Sequence, residues 1–367
     1  MHWWRGNGNN HSRDLVDCAI VRALAAPPTT RKFASAPKHV AKKTPRKDRS
    51  TRIQNMAKRL NPILRFTRAL LPMAVGLMVV IGAFEGWLVY RVTHPRRTNH
   101  EVTPSHYQLF TGEGMSWNED QWDNSDGTQA GGWFLRGAVG APAIVLSHGY
   151  GKNRAELLNL GVKLCEVGYH VLLPDLRGHG SSTVSYSSLG IYEKDDLNAA
   201  INFLKSKKSA QGQPLVDGNR VGVYGVSLGG YAALTAAAEN PTIKVVIADS
   251  VYAKPNWLTQ AVLKEMFSTD PPLLNQFAEW GLRGYFWGHY DEGSATQALS
   301  RYRDQKLWLV TPQVNTPTTE DLNQITLDLF QQAQFPKEII KVERVRAEAP
   351  DAYDDRMVGV FRKDLTR

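Results

Sequence analysis

The apolar positions of this chain fall into three regimes. Residues 1–55 show no sustained period. Residues 69–90, "ALLPMAVGLMVVIGAFEGWLVY", are apolar all round. After a linker at 91–106, short apolar runs alternate with amphipathic stretches to the end of the chain. "APAIVLSHG", "GYHVLLPD", "RVGVYG", "IKVVIADS", "KLWLVTP" and "KEIIKVERV" are continuous rather than alternating, the pattern of strands buried on both faces of a parallel sheet. "NRAELLNLGVKLCEVG", "EKDDLNAAINFLKSKK", "YAALTAAAEN" and "TEDLNQITLDLFQQA" lie between them with helical spacing. The alternation predicts a doubly wound α/β domain over 107–367. Residues 251–305, rich in Trp, Phe and Tyr, interrupt it and are expected to form a helical cap over the strand ends.

The 22 residues of 69–90 carry one charge, Glu85, and are long enough to cross a hydrocarbon core of about 30 Å at 1.5 Å per residue. Trp87 and Tyr90 sit at one end, where interfacial aromatics belong. Basic residues are denser in the juxtamembrane segment 56–68 and just before it than after Tyr90, so the expected topology is a single-pass anchor. Its N-terminus is cytoplasmic and its body extracytoplasmic, in a bacterial inner membrane.

A net charge of +9 over 367 residues suggests a nucleic-acid partner until it is located. Residues 1–68 hold 16 of the 44 Lys and Arg and 3 of the 35 Asp and Glu, leaving 69–367 with a net of −4. The basicity belongs to the tail, and no nucleic-acid partner is expected. Residues 1–55 fit a disordered tail, a transit peptide, or upstream sequence before a start at Met56. Two cysteines, Cys18 and Cys165, exclude a disulfide framework and a Cys-rich zinc site. Cys165 reads as a small buried apolar residue.

Three segments fall at carboxyl ends of strands, where ligands bind in such sheets. In Gly225-Val226-Ser227-Leu228-Gly229 the glycines allow a sharp strand-to-helix turn with the serine hydroxyl at its tip, which makes Ser227 a candidate nucleophile. The N–H of Leu228 heads the helix that follows, where developing negative charge is favoured. In "LSHGYGKNR" the loop offers a second N–H, that of Tyr150, to complete an oxyanion hole. His148 is expected to shape that turn. In "PDLRGHGSS", Asp175, Arg177 and His179 make a poor metal site, and an Asp175–Arg177 pair is expected to pin the loop.

"HGYG", "DLRGHGSS" and "YGVSLGG", in this order and separation, resemble the α/β-hydrolase superfamily, and most nearly its bacterial esterase, lysophospholipase and serine-peptidase-like branch. The likeness covers about residues 107–365. It implies a mostly parallel sheet flanked by helices, Ser227 as nucleophile, Tyr150 and Leu228 as oxyanion donors, and no metal or cofactor. It also implies an acid after the next-to-last strand and a histidine after the last. Laying Thr311-Pro312 over the family's "HG" puts Asn315 at the acid's place. Glu320 and Asp321 read as first-turn helix charges, and Asp249 is the best substitute acid. In "RAEAPDAYDD", Ala349 occupies the histidine's place, and no histidine follows His289 anywhere in the chain.

A serine hydroxyl is a weak nucleophile without a base. His289, reaching from the cap, is the one substitute base on offer. Two expectations follow. One is a membrane-anchored hydrolase of ester, thioester or amide bonds with a lipid-like or other small acyl substrate. The other is a degenerate hydrolase that binds or scaffolds.

Overall fold

A computed structural model of the chain describes residues 61–106, 114–312, 317–334, 336–342 and 350–365. The chain divides into two compact units, 1–68 and 69–367, and the second holds the whole sheet. Helix α1 (Asn61–Thr93) contains a stretch, Leu64–Thr93, long and apolar enough to cross a membrane, with its most apolar window wholly exposed. It outruns the expected 69–90 at both ends. The N-terminal tail 1–55 and residues 56–60 lie outside the described residues.

Eight strands form one sheet: β1 (Trp117–Asp123), β2 (Gln129–Leu135), β3 (Ala141–Ser147), β4 (His170–Pro174), β5 (Val216–Val226), β6 (Ile243–Asp249), β7 (Lys306–Pro312) and β8 (Lys337–Val342). Their order is β1-β2-β4-β3-β5-β6-β7-β8. The pairs β1/β2 and β2/β4 are antiparallel, and all others are parallel. Every apolar run singled out in the sequence is one of β3 to β8. The two strands it does not announce are β1 and β2. β1, "WNEDQWD", lies at the sheet edge with one face in water, so its composition is polar.

The sheet is covered on both faces. α2 (Leu158–Glu166), α3 (Glu193–Ser206), α4 (Leu228–Ala237), α8 (Pro317–Gln332) and α9 (Pro350–Asp364) alternate with the parallel strands. Between β6 and β7 come α5 (Pro255–Phe267), α6 (Pro272–Tyr285) and the short α7 (Ala295–Leu299). Ala143 and Val145 of β3 join one core cluster, and Ile144 and Leu146 join the other. Burial on both faces is what makes the strand sequence a continuous apolar run.

The carbonyls at the end of a helix lack intrahelical donors, and here the domain supplies them. Val92 O of α1 accepts from the Tyr150 hydroxyl at 2.6 Å, and Thr93 O accepts from Ser187 N at 2.7 Å. Leu88, Val89, Val92 and Thr93 are buried, so α1 ends inside the domain's packing. The linker beyond it is bound too: Arg97 donates to Ser182 O and Val184 O, and Asn153 Nδ2 donates to Thr98 O and Asn99 O.

Candidate active site

Ser227 sits between β5 and α4 at φ 49°, ψ −108°. A non-glycine residue there costs on the order of 1–3 kcal/mol, and such strain clusters at functional turns. The turn is locked by Ser227 N donating to Asp249 O at 2.9 Å and Tyr231 N donating to Ser227 O at 2.9 Å. Close approach explains its glycines. A Cβ on Gly225 would stand 2.2 Å from Gly229 O, and one on Gly229 would stand 2.1 Å from Ser147 O. The head of α4 is therefore pressed against the end of β3, beside the His148–Gly149–Tyr150 turn.

Ser227 is half-buried, and among the described residues its Oγ makes no hydrogen bond. Leu228, as the first residue of α4, has an N–H with no intrahelical acceptor. Among the described residues the Tyr150 N–H has no acceptor either. The Tyr150 ring packs edge-on to His179, with centroids 5.5 Å apart, while its hydroxyl reaches α1. Burial pushes that hydroxyl well above the usual tyrosine range.

The histidines near this turn are structural. His148 is fully buried, and its Nε2 accepts from Leu176 N at 3.0 Å. Its Nδ1–H therefore donates to Gly149 O at 2.9 Å, and burial lowers its pKa. His179 Nδ1–H donates to Arg177 O at 2.8 Å, and Nε2 has no partner among the described residues. Burial, with His148 alongside, pushes its pKa down to about 3, so the ring is neutral.

The Asp175–Arg177 pair expected from the sequence is replaced by two separate clusters. Asp175 is held by His100 Nε2 at 3.0 Å, by Arg154 N at 2.9 Å and by Ser181 N at 3.0 Å. Burial opposes its ionisation, but the bonds from His100 and Ser181 and the charge of Arg154 hold its pKa below the usual range. Arg177 instead pairs with Asp196, Nε to Oδ2 at 2.6 Å, and with Asp126 at 3.1 Å. Spacing along the chain favoured the near neighbour, whereas the fold brings up carboxylates from α3 and the β1–β2 turn. Cys165 is half-buried, its Sγ 3.4 Å from Arg136 O, and burial pushes the thiol up to about 11.

Asp249, the substitute acid of the sequence reading, lies buried at the end of β6 beside the Ser227 turn. Its Oδ2 accepts from the hydroxyls of Tyr224 (2.9 Å) and Tyr353, and its Oδ1 from Ser250 Oγ at 2.9 Å. None of these partners is Ser227. Tyr353 belongs to α9, a helix absent from the sequence reading, which takes "PDAYDD" only as the segment that carries the family's histidine. His289 is exposed in a short 3-10 turn after α6, with Nδ1 2.6 Å from Glu292 Oε2 and its ring facing Tyr192 at 6.5 Å. The structure does not join it to Ser227. Asn315 and Ala349 lie outside the described residues.

A mostly parallel sheet whose fifth strand turns sharply through a serine into its helix has the hydrolase architecture of the α/β class. The family model described as the alpha/beta hydrolase family matches residues 144–354, more than half the chain, and the chain belongs to that family. YqkD of Bacillus subtilis is 34% identical over 108 residues, 28% of this chain and 33% of its own length. The thiohydrolase apmlB of Arthrinium phaeospermum is 31% identical over 184 residues, 49% of this chain and 58% of its own. The chain thus spans a third of the first relative and under two thirds of the second. The esterase Pf2001 of Pyrococcus furiosus has the same fold, with a TM-score of 0.55 at 20% identity over 74% of this chain and 99% of that one.

Proposed function

We propose that this protein is a membrane-anchored hydrolase of ester-type bonds in which Ser227 is the nucleophile. The observation that carries the reading is the strained turn that holds the Ser227 hydroxyl free of hydrogen bonds among the described residues, next to the unengaged N–H of Leu228. Ser227 Oγ attacks the acyl carbon, and negative charge builds on the carbonyl oxygen facing the N–H groups of Leu228 and Tyr150. The C–O or C–S bond to the leaving group breaks as the proton of the serine hydroxyl passes to the departing alcohol or thiol, and water then releases the acyl group as a carboxylic acid, returning a proton to Oγ. The chemistry needs no metal or cofactor. Apolar substrates suit the aromatic residues of 251–305, and the names of the esterase and thiohydrolase relatives agree with an acyl group. α1 anchors the protein with the N-terminus cytoplasmic and the hydrolase domain on the other side of a bacterial inner membrane, by the excess of basic residues before it.

A second reading, a degenerate hydrolase that binds acyl ligands without turnover, is favoured by one observation. No histidine follows His289, and His289 itself is paired with Glu292. Without a base the serine loses orders of magnitude in rate, keeping on the order of 10³–10⁴-fold over water. Labelling of the full chain in detergent with a fluorophosphonate probe separates the two. Stoichiometric labelling that vanishes in Ser227→Ala supports the hydrolase, and its loss in His289→Ala as well makes His289 the base. A folded wild-type chain that takes no label overturns the hydrolase reading in favour of the second.

A further inference from the structure

We propose that α6 and the last turns of α1 form one apolar platform that rests in the membrane interface, so that the helices between β6 and β7 are bathed by lipid. The inference rests on the reading that α1 spans a bilayer, and it adds a second contact between protein and lipid.

Outside α1, the large hydrophobic side chains exposed among the described residues are Val102, Val139, Leu273, Trp280, Tyr285, Trp287 and Leu327. Four of these seven fall within 273–287. Leu273 is 82% exposed and Trp287 91%. Single exposed apolar residues are ordinary, but a cluster marks an interaction surface.

The cluster adjoins α1. A Cβ on Gly281 of α6 would come within 2.7 Å of Val89 Cγ2 and 2.9 Å of Glu85 Cγ, so the two helices touch there. Phe277 of α6 stacks on Phe84 of α1 with centroids 6.3 Å apart. At 3.6 residues per turn, Phe277, Gly281 and Tyr285 form one stripe of α6, and Leu273 and Trp280 form the stripe next to it. The exposed stripe therefore continues the stripe that meets α1. Arg283, paired with Glu279 and Asp291, lies across the helix from the stripe that meets α1 and borders Trp280 on its far side.

On α1 the exposed Trp87 and Tyr90 stand within two turns of the contact, where a spanning helix leaves the hydrocarbon. Trp280, Tyr285 and Trp287 have the same amphipathic character, an apolar ring with a polar tip that suits the headgroup level. An apolar groove of about 560 Å³ runs between the helices, lined by Gly82, Gly86, Tyr90, Gly281 and Tyr285. In water it would leave apolar wall exposed, whereas acyl chains fill it. Glu85, half-buried at the same seam, lines this groove together with Thr93 and His94, and its carbon stem packs against Gly281.

The test uses the full chain with C18S and C165S, carrying one environment-sensitive fluorophore at L273C, W287C, V79C or V139C. Each is reconstituted in phosphatidylcholine vesicles with or without lipids bearing an acyl-chain nitroxide. Val79 is mid-α1, and Val139 precedes β3 at the opposite end of the sheet. The proposal expects fluorescence loss to the lipid-borne nitroxide at 273, 287 and 79 and none at 139. Loss at 79 alone, with 273 and 287 open to an aqueous quencher, overturns the platform and leaves the anchor standing. Labels at 273 and 287 shielded from both quenchers mean that protein covers this face, which also overturns it. Absence of loss at 79 overturns the spanning reading and the platform with it.

Discussion

The strain at Ser227 makes a prediction about stability that needs no substrate. At φ 49°, ψ −108° a Cβ is disfavoured, whereas glycine reaches the region as readily as its mirror image. Relief of strain amounts to about 1–3 kcal/mol. Glycine returns about 0.5–1 kcal/mol of that through the greater freedom of the unfolded chain. No hydrogen bond of Oγ among the described residues is lost, so Ser227→Gly should be more stable than Ser227→Ala by on the order of 1 kcal/mol, since alanine keeps the Cβ and its strain. For a domain of this size that is a rise of roughly 2–4 °C per kcal/mol. Guanidinium unfolding of the full chain in detergent, followed by tryptophan emission, measures the difference. Ser227→Gly no more stable than Ser227→Ala would refute the claim that the turn stores strain.

Other substitutions test the surroundings. Tyr150→Phe leaves Val92 O without its donor and should cost about 1–3 kcal/mol while sparing the backbone N–H at 150. Unchanged stability would mean that water caps α1 as well as Tyr150 does. Asp175→Asn removes the carboxylate that holds His100, Arg154 and Ser181 and should cost about 2–4 kcal/mol, read as a shift in unfolding midpoint. His179, with a folded pKa pushed down to about 3, gains protons on unfolding throughout the range between that value and the ordinary histidine pKa. Stability should therefore be fully present above about pH 6.5 and fall by about 1.4 kcal/mol per pH unit below it, with buried His148 acting in the same direction. Equal unfolding free energies at pH 7.5 and pH 5.5 would contradict the neutral assignment of both rings.

The parallel core and the sharp turn at Ser227 are legible in the sequence. β3 to β8 are buried on both faces, so each appears as a continuous apolar run, and the glycines around Ser227 are local because the crowding they relieve is local to the strand-to-helix junction. β1 and β2 escape sequence reading because β1 is a polar edge strand and the short apolar end of β2 follows two glycines, Gly131 and Gly132, that interrupt its pattern. The partners of the polar groups come from the packing of separate elements. Asp175 meets His100 and Arg154 rather than Arg177, Asp249 is taken by Tyr224 and Tyr353, and Tyr150 reaches back to Val92. These partners lie 21 to 104 residues apart, and spacing along a chain says nothing about groups that meet only when separate elements pack. The same reason governs the platform. An apolar helix and an aromatic-rich insertion are each legible alone, but that they touch at Gly281 is a property of the folded molecule.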